Sequence, residues 1–460
     1  MSNETVESID FEELFQLASE KKYRQLKDAL LELNEVDIAL FMEELDQDRS
    51  TVVFRMLPKA VASEVFAELE PELQEHVINS ITDRELSEIV EDLYVDDAVD
   101  MLEEMPATIV RRVMENTKPA TRKLINQFLN YPENSAGSIM TAEYIGLKAK
   151  MTVEECFAYI RKHGIDSETI YTCYVMGEKR QLEGVVTVKN LLMNPYEALV
   201  GDIMDDNVIK VTTTMDQEEV VEMMNKYDLL SMPVVDSEDR LVGIITVDDV
   251  MDVMEEEATE DIELMSGMTP SEKPYLRSTP FDLFKNRIPW LMLLMVSSTF
   301  TGLIMTAFEG ALAAQIALSA FIPMLMGTGG NSGSQSSVTV IRGLSLDELR
   351  FKDLGTVLWK ELRTALLCGI ALAAVCFAKI WMVDHMLLGN QDITLMVDLV
   401  VCLSLAVTVV IAKAVGCVLP MVAKVLGADP AVMASPFITT IVDAVSLLVY
   451  FMFAKSLLNI

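Results

Sequence analysis

The chain has 460 residues, with 71 Asp and Glu against 36 Lys and Arg, a formal net charge of −35 and 51% hydrophobic residues. Sixty-one of the acids and 27 of the bases precede residue 288, so almost all of the negative charge lies in the first part of the chain and the apolar remainder is nearly neutral. Such asymmetry indicates two environments, and it excludes nucleic acid as a partner of the acidic part.

Residues 1–132 repeat with a period of 12. Apolar residues recur in two columns, Leu45, Leu57, Leu69, Ile81, Leu93 and Met105, and Phe41, Val53, Val65, Val77, Ile89 and Met101. Short amphipathic helices that stack on one another give such a pattern, since each must bury its apolar face against a neighbour. The sequence therefore predicts an all-α, solenoid-like N domain. Its acids Asp96, Asp97 and Asp100 need an explanation beyond the scaffold.

A second repeat follows over 133–200 and 201–247. Gly137-Ser138-Ile139-Met140 returns as Gly201-Asp202-Ile203-Met204, and the run 182–191 returns as 241–250. This tandem resembles a pair of CBS domains, an α+β fold. The resemblance implies that Thr187, Thr246 and Asp249 contact an adenosine nucleotide such as ATP, although Asn190 stands where the first copy would carry the acid. Nucleotide binding and a purely structural dimer module both remain open.

Residues 248–287 form an acidic connector. Its first 14 residues, 248–261, contain eight acids and no base. Val250, Val253, Met254, Glu257 and Asp261 recur at helical spacing, which predicts one acidic amphipathic helix.

Residues 288–460 are predicted to lie in a membrane. We expect five spans, at about 288–308, 310–341, 364–383, 393–419 and 431–458, each long enough to cross the hydrocarbon. Arg342, Arg350, Lys352, Lys360 and Arg363 crowd the loop between the second and third spans. The positive-inside rule places that loop in the cytosol. With no signal peptide evident at Met1, the N-terminus is expected in the cytosol and the C-terminus outside.

The second span carries an unusual polar run, 327–337, which includes Gly330 and Asn331. Glycines let helices approach closely, and the amide and hydroxyl groups suit a wet pathway. A helix-packing face is the alternative, because small residues are common at such contacts. The number of polar side chains favours a pore lining.

The fifth span opens on Gly427-Ala428-Asp429-Pro430-Ala431 and continues through Thr439 to Asp443. Proline removes a backbone donor and disfavours helix at the preceding residue. A carboxylate at bilayer depth is costly and indicates function, and oxygen ligands suit a hard cation such as Mg²⁺. Helix capping by Asp429 is the alternative, but it leaves Asp443 unexplained.

Taken together, the N domain, the CBS pair, the acidic connector, the run 329–335 and the motif 427–431 resemble the MgtE family of Mg²⁺ channels. The resemblance implies a homodimer in which Asp429 lines the pore with Asn331. Ser334 departs from the asparagine of many relatives. The family resemblance also implies that carboxylates of the cytosolic part bind Mg²⁺ and that this binding closes the channel. The sensing residues expected on this ground are Asp96, Asp97, Asp100, Asp216, Asp228, Asp249, Asp252, Glu257, Glu260 and Asp261.

The sequence thus predicts a multidomain protein with a helical-repeat N domain, an α+β CBS pair and a helical membrane domain of five transmembrane helices. We expect a Mg²⁺-selective channel of a prokaryotic cytoplasmic membrane, and no enzyme. Its expected ligands are Mg²⁺ and, at the CBS pair, ATP; its expected partners are a second copy and the lipid bilayer. The alternatives are transport of Mn²⁺, Co²⁺ or Ca²⁺, or a membrane-anchored adenylate sensor.

Overall fold

The computed structural model describes residues 11–271, 275–276, 278–388, 393–433 and 435–459, except for the side chain of Ser435. The chain divides into two compact units, Met1–Met254 and Glu255–Ile460.

The first unit begins with ten short helices within the described residues 11–130. They are α1 Glu12–Ser19, α2 Tyr23–Leu30, α3 Glu35–Glu43, α4 Gln47–Phe54, α5 Lys59–Ala67, α6 Pro71–Ser80, α7 Asp83–Asp92, α8 Val95–Glu104, α9 Ala107–Asn116 and α10 Pro119–Phe128. Every member of the Phe41–Met101 column is buried, and the Leu45–Met105 column is buried or partly buried in the same core. The predicted helical repeat is therefore confirmed.

Local signals end each helix after two or three turns. Pro71 and Pro119 stand in the first turn of α6 and α10, where a missing N–H costs nothing. Thr82 caps α7 and exchanges hydrogen bonds with Glu85, which is a capping box. Because no single helix buries its own apolar face, the shared core stabilises the array.

Two three-stranded sheets of the same topology follow, in the part of the chain described. Their strands are β1 Tyr144–Leu147, β2 Thr169–Met176, β3 Leu182–Thr187, β4 Val211–Thr212, β5 Ser231–Val235 and β6 Leu241–Thr246. In each sheet the first two strands are parallel and the last two antiparallel. The associated helices are α11 Val153–His163, α12 Val188–Met193, α13 Val200–Ile203 and α14 Gln217–Tyr227, with a 3₁₀ turn at Gly164–Asp166. The internal repeat read from the sequence is thus two copies of one α+β unit.

The predicted acidic helix is present as α15, Val247–Met265. The boundary between the two units falls within it, after Met254. Val250 and Val253 are buried in the first unit. In the second unit, Leu264 and Met265 pack against Ile341.

The second unit consists of long apolar helices. They are α16 Pro280–Ala307, α17 Glu309–Ala314, α18 Ile322–Ser345, α19 Leu354–Lys379, α20 Leu395–Val425 and α21 Ser435–Leu458; 3₁₀ turns lie at Ile316–Phe321, Phe351–Asp353 and Pro430–Met433, and a π-helical segment at Ile380–Leu387. In the described residues, four stretches are long and apolar enough to cross a membrane: those containing α16, α19, α20 and α21.

The second predicted span differs from its expected form. Instead of one helix over 310–341, the chain forms the short α17, a 3₁₀ turn and then α18, which has Pro323 in its first turn. The polar run lowers the hydropathy of α18, so α18 is absent from the four candidate stretches, and five spans stay a prediction. Helix α18 nevertheless packs against both α20 and α21.

Glycines set the spacing of these three helices. A Cβ placed on Gly416 of α20 would lie 2.2 Å from the carbonyl oxygen of Gly333 on α18. On α18, a Cβ on Gly329 would meet Thr408 and Ser446 at 2.8 and 2.9 Å. The packing role considered for the glycines is therefore real, and it brings polar side chains of α18 next to both neighbours.

Candidate functional site

The turn between α20 and α21 holds Asp429 in a fixed, exposed position. Gly427 has a φ of +74°, which an L-residue adopts only with strain. The N–H of Gly427 donates to the carbonyl of Lys424, and the N–H of Ala428 donates to that of Ala423, a Schellman motif that ends α20. The Asp429 carboxylate accepts a 2.7 Å hydrogen bond from the N–H of Ala431. The capping role considered for Asp429 is present, and it leaves the second carboxylate oxygen for a ligand.

Two acids from the second half of α15, Glu260 and Asp261, lie near Asp429, and Glu257 lies near both of them. Burial and then the nearby charges of Asp429 and Glu257 raise the pKa of Asp261. Burial, followed by the negative charges of Glu257 and Asp429, likewise raises the pKa of Glu260. Burial contributes most to these shifts and the like charges add to them, so this acidic mouth, formed by Glu257, Glu260, Asp261 and Asp429, favours a bound dication.

The other predicted pore residues lie along α18 and α21. The side chain of Asn331 is exposed, as are those of Pro323 and Gln335, which lie along the same stripe of α18. A Cβ on Gly330 would lie 2.9 Å from Thr439, so the structure brings those two predicted residues together. Asp443 lies one turn beyond Thr439, and its Oδ1 is buried without a hydrogen-bond partner in the described part of the chain.

A second group of carboxylates gathers in the first unit. This acidic cluster consists of Asp96 and Asp97 on α8, Glu168 just before β2 and Asp249 on α15. Burial, followed by the charge of Asp249, raises the pKa of Asp97 to about 6 and that of Glu168 to about 7. Burial and the charge of Asp97 raise the pKa of Asp96 well above its usual value. The pKa of Asp249 is raised mainly by burial. The cluster therefore strongly favours bound protons or cations.

The remaining predicted sensing residues occupy different places in the first unit. Burial, followed by the charge of Asp252, raises the pKa of Glu68. Asp100 lies on α8. Asp216 caps α14, where its carboxylate accepts from the N–H of Glu218. Asp228 ends α14 in the left-handed region, with a φ of 51°, and lines a cavity instead.

That cavity lies between the two α+β copies and has a volume of about 670 Å³. Thr187 lines it with Tyr171, Lys189 and Asp205. Asp249 instead accepts hydrogen bonds from the N–H and hydroxyl of Thr246. The structure therefore places the predicted nucleotide residue Thr187 in the cavity and Asp249 in the acidic cluster.

Sequence reasoning missed two residues, Glu168 and Lys413, whose surroundings only the fold shows. Glu168 belongs to the acidic cluster, yet it precedes a strand far from the other members in sequence. Lys413 was not singled out either; it lies inside α20 and is only 5% exposed. A lysine within an apolar span was the available signal.

No three His, Cys, Asp or Glu side chains among the described residues are arranged as a ready-made metal site. Mg²⁺ keeps several of its waters and binds through one or two carboxylates. Carboxylates that form no closed group of ligands therefore suit a hydrated ion better than a dehydrated one.

Long apolar helices, a carboxylate at a helix break and acidic domains are typical of an integral membrane transporter of divalent cations. Family models agree along the chain: the "Divalent cation transporter" MgtE at residues 322–453, the "MgtE intracellular N domain" at 33–134 and the CBS domain at 136–196 and 200–256. The chain belongs to the MgtE family. The prediction of a transport protein and no enzyme is thereby confirmed.

Relatives match over nearly the whole chain. The magnesium transporter MgtE of Thermus thermophilus is 37% identical, covering 95% of this chain and 96% of the relative. That of Bacillus subtilis is 32% identical, covering 96% of each. A crystal structure of the cytosolic domain of the Mg²⁺ channel MgtE in complex with ATP is 39% identical, covering 52% of this chain and 98% of that one, with a TM-score of 0.50.

Proposed function

We propose that this chain forms a Mg²⁺-selective channel in the cytoplasmic membrane of a prokaryote. Mg²⁺ would enter down its electrochemical gradient, and cytosolic Mg²⁺ would close the channel. The observation that carries the proposal is the exposed Asp429 carboxylate at the break between two membrane helices, beside the acidic mouth. Full-length relatives named magnesium transporters support the choice of ion.

The ion path is proposed to run past Asp429 and the backbone of Ala428, with Asn331, Gly330, Thr439 and Asp443 contributing further polar contacts. In a homodimer the two Asp429 carboxylates would face each other. Two like charges ~4 Å apart repel by about 4 kcal/mol at an effective dielectric near 20. A dication relieves that repulsion more fully than a monovalent ion does, which favours Mg²⁺ over Na⁺ or K⁺.

The raised pKa values support the proposal that Mg²⁺ closes the channel. In the acidic mouth and the acidic cluster, bringing the carboxylates together costs free energy that a dication recovers. A ligand stabilises the state that binds it more tightly, so Mg²⁺ favours the conformations in which these acids are close. The proposed sensing residues are Asp96, Asp97, Asp100, Asp216, Asp228, Asp249, Asp252, Glu257, Glu260 and Asp261.

The proposed membrane orientation follows the basic residues between α18 and α19, including Arg350 and Lys360, which favour the cytosolic side. The first unit would then be cytosolic and the C-terminus outside. Helix α16 buries no residue within the described part of its unit. Its apolar surface therefore needs lipid or a second copy to cover it, which supports the bilayer and homodimer as partners.

Flux into proteoliposomes tests the proposal. We expect Mg²⁺ entry that saturates, needs no ATP hydrolysis and falls at least tenfold in Asp429→Ala. Glu348→Gln is the matched control, because Glu348 is an exposed acid in the loop after α18. Equal flux in Asp429→Ala and wild type would refute the assignment, and a preference for Ca²⁺ or Mn²⁺ would change the ion.

Adenine nucleotide binding is a second proposed activity, carried by the cavity of about 670 Å³. Tyr171 offers an aromatic face for a base, and Lys189 offers a cation for phosphate. The ATP complex of the related cytosolic domain supports this ligand.

Calorimetric titration of ATP into the full-length protein tests it. Lys189→Ala should weaken ATP binding at least tenfold, whereas Lys179→Ala, on an exposed turn, should leave it unchanged. Equal affinity in the two variants would exclude the cavity as the site. Nucleotide binding in a protein that conducts no ion would favour the adenylate-sensor alternative.

A further inference from the structure

A buried, charged cluster joins three membrane helices. The ammonium of Lys413 on α20 donates to the hydroxyl of Ser336 on α18 at 3.1 Å. Ser336 donates to the carboxylate of Glu361 on α19 at 2.7 Å. Lys413 and Glu361 form an ion pair at 3.6 Å, with side chains 7% and 17% exposed. Charges inside a membrane helix bundle are costly and usually functional.

The cluster lies beside the Gly333–Gly416 contact, where α18 and α20 approach closely. Lys413 precedes Gly416 by three residues, and Ser336 follows Gly333 by three, so the polar link lies one turn from the Gly333–Gly416 contact. A contact between glycines lets two helices approach, but it offers no side chain to stop one from rotating against the other. A hydrogen bond one turn away supplies that restraint.

The restraint determines where Asn331 points. Ser336 and Asn331 are five residues apart on α18, which places them roughly 140° apart around the helix axis. Ser336 is 2% exposed, and Asn331 is exposed. Holding Ser336 inside the bundle therefore turns Asn331 outward.

We propose that Lys413 and Glu361 are positioning residues, which fix the rotation of α18 through Ser336 and hold Asn331 on the ion path. This inference rests on the proposed channel function. The two charges act as a pair: Lys413 restrains Ser336, and Glu361 neutralises Lys413 and accepts from Ser336. Neither residue is proposed to touch the permeating ion.

Charge removal in the full-length protein in proteoliposomes tests the pair. We expect Lys413→Met and Glu361→Gln to lower maximal Mg²⁺ influx at least tenfold, because each leaves a buried charge without its partner. Lys413→Arg keeps the charge and should retain at least half of the influx. The double variant has no unpaired charge, and it should conduct at least threefold faster than either single variant, with a half-saturating Mg²⁺ concentration close to that of wild type.

Controls separate positioning from folding and from direct ion binding. Lys455→Met, at the exposed end of α21, should conduct as wild type does. Ser336→Ala leaves the ion pair intact, so it should fold, and it should shift the ratio of Mg²⁺ to Ca²⁺ influx at temperatures well below unfolding. Wild-type influx and selectivity in Ser336→Ala would overturn the proposal. So would a monodisperse double variant as inactive as Glu361→Gln, which would place Glu361 on the ion. Absence of flux in wild type would instead refute the channel function itself.

Discussion

Replacing Glu168 by Gln should stabilise the Mg²⁺-free protein at neutral pH. Burial and the surrounding acids raise the pKa of Glu168 from its usual 4.5 to about 7. The unfolded chain therefore loses this proton at lower pH than the folded chain does. The folded state loses stability as pH rises from about 4.5 to 7, and the full penalty is present above pH 7.

The pKa change sets the size of the effect. It corresponds to at most roughly 3 kcal/mol, because Glu168 is only partly buried and water screens part of the repulsion. For a unit of this size, such a gain raises the midpoint of thermal unfolding by about 5 °C. The stability gain in Glu168→Gln should be nearly gone at pH 4.5, where the wild-type carboxyl is protonated in the folded state and half protonated in the unfolded state.

Scanning calorimetry of the full-length protein in detergent, between pH 4.5 and 8 with chelator, measures the midpoint of thermal unfolding of wild type and Glu168→Gln. Glu197→Gln is the control, because Glu197 is an exposed acid in the loop between α12 and α13. Millimolar Mg²⁺ should raise the midpoint of wild type at pH 7.5 more than that of Glu168→Gln. A pH-independent gain, or the same gain in Glu197→Gln, would refute the electrostatic reasoning.

Other predictions address the pore, its mouth and its gate. Gly416→Ala places a methyl group 2.2 Å from the Gly333 carbonyl oxygen and should destabilise the membrane unit by about 1–3 kcal/mol. Gly327→Ala is the control, because a Cβ there would meet nothing within 4 Å, and it should destabilise the unit far less. The midpoints of thermal unfolding of the two variants measure the difference. Asp261→Asn removes a charge near Asp429 and should raise the Mg²⁺ concentration that half-closes the channel several-fold in patch recordings; unchanged inhibition would exclude the acidic mouth as a sensor. Lowering cytosolic pH from 7.5 to 6 should also raise that concentration, because protons compete with Mg²⁺ for the acidic cluster; inhibition independent of pH would contradict this.

The sequence was sufficient wherever a local pattern carries the information. The 12-residue period predicted the helical N domain, because buried columns such as Phe41 to Met101 recur once per helix. The duplicated segments predicted two copies of one α+β unit. The position of Asp429 at a break also followed from sequence, since Gly427 and Pro430 end one helix and limit the start of the next through backbone geometry alone.

Contacts between residues distant in sequence needed the tertiary structure. Thr187 and Thr246 occupy matching positions in the two copies, yet Thr187 lines a cavity and Thr246 donates to Asp249 of the acidic cluster, because different elements pack around each copy. The link between Ser336 and Lys413 spans 77 positions. Local periodicity reports which face of an element is buried; only the packing of elements decides which charges meet there, and with them the pKa values and ion pairs on which the proposed function depends.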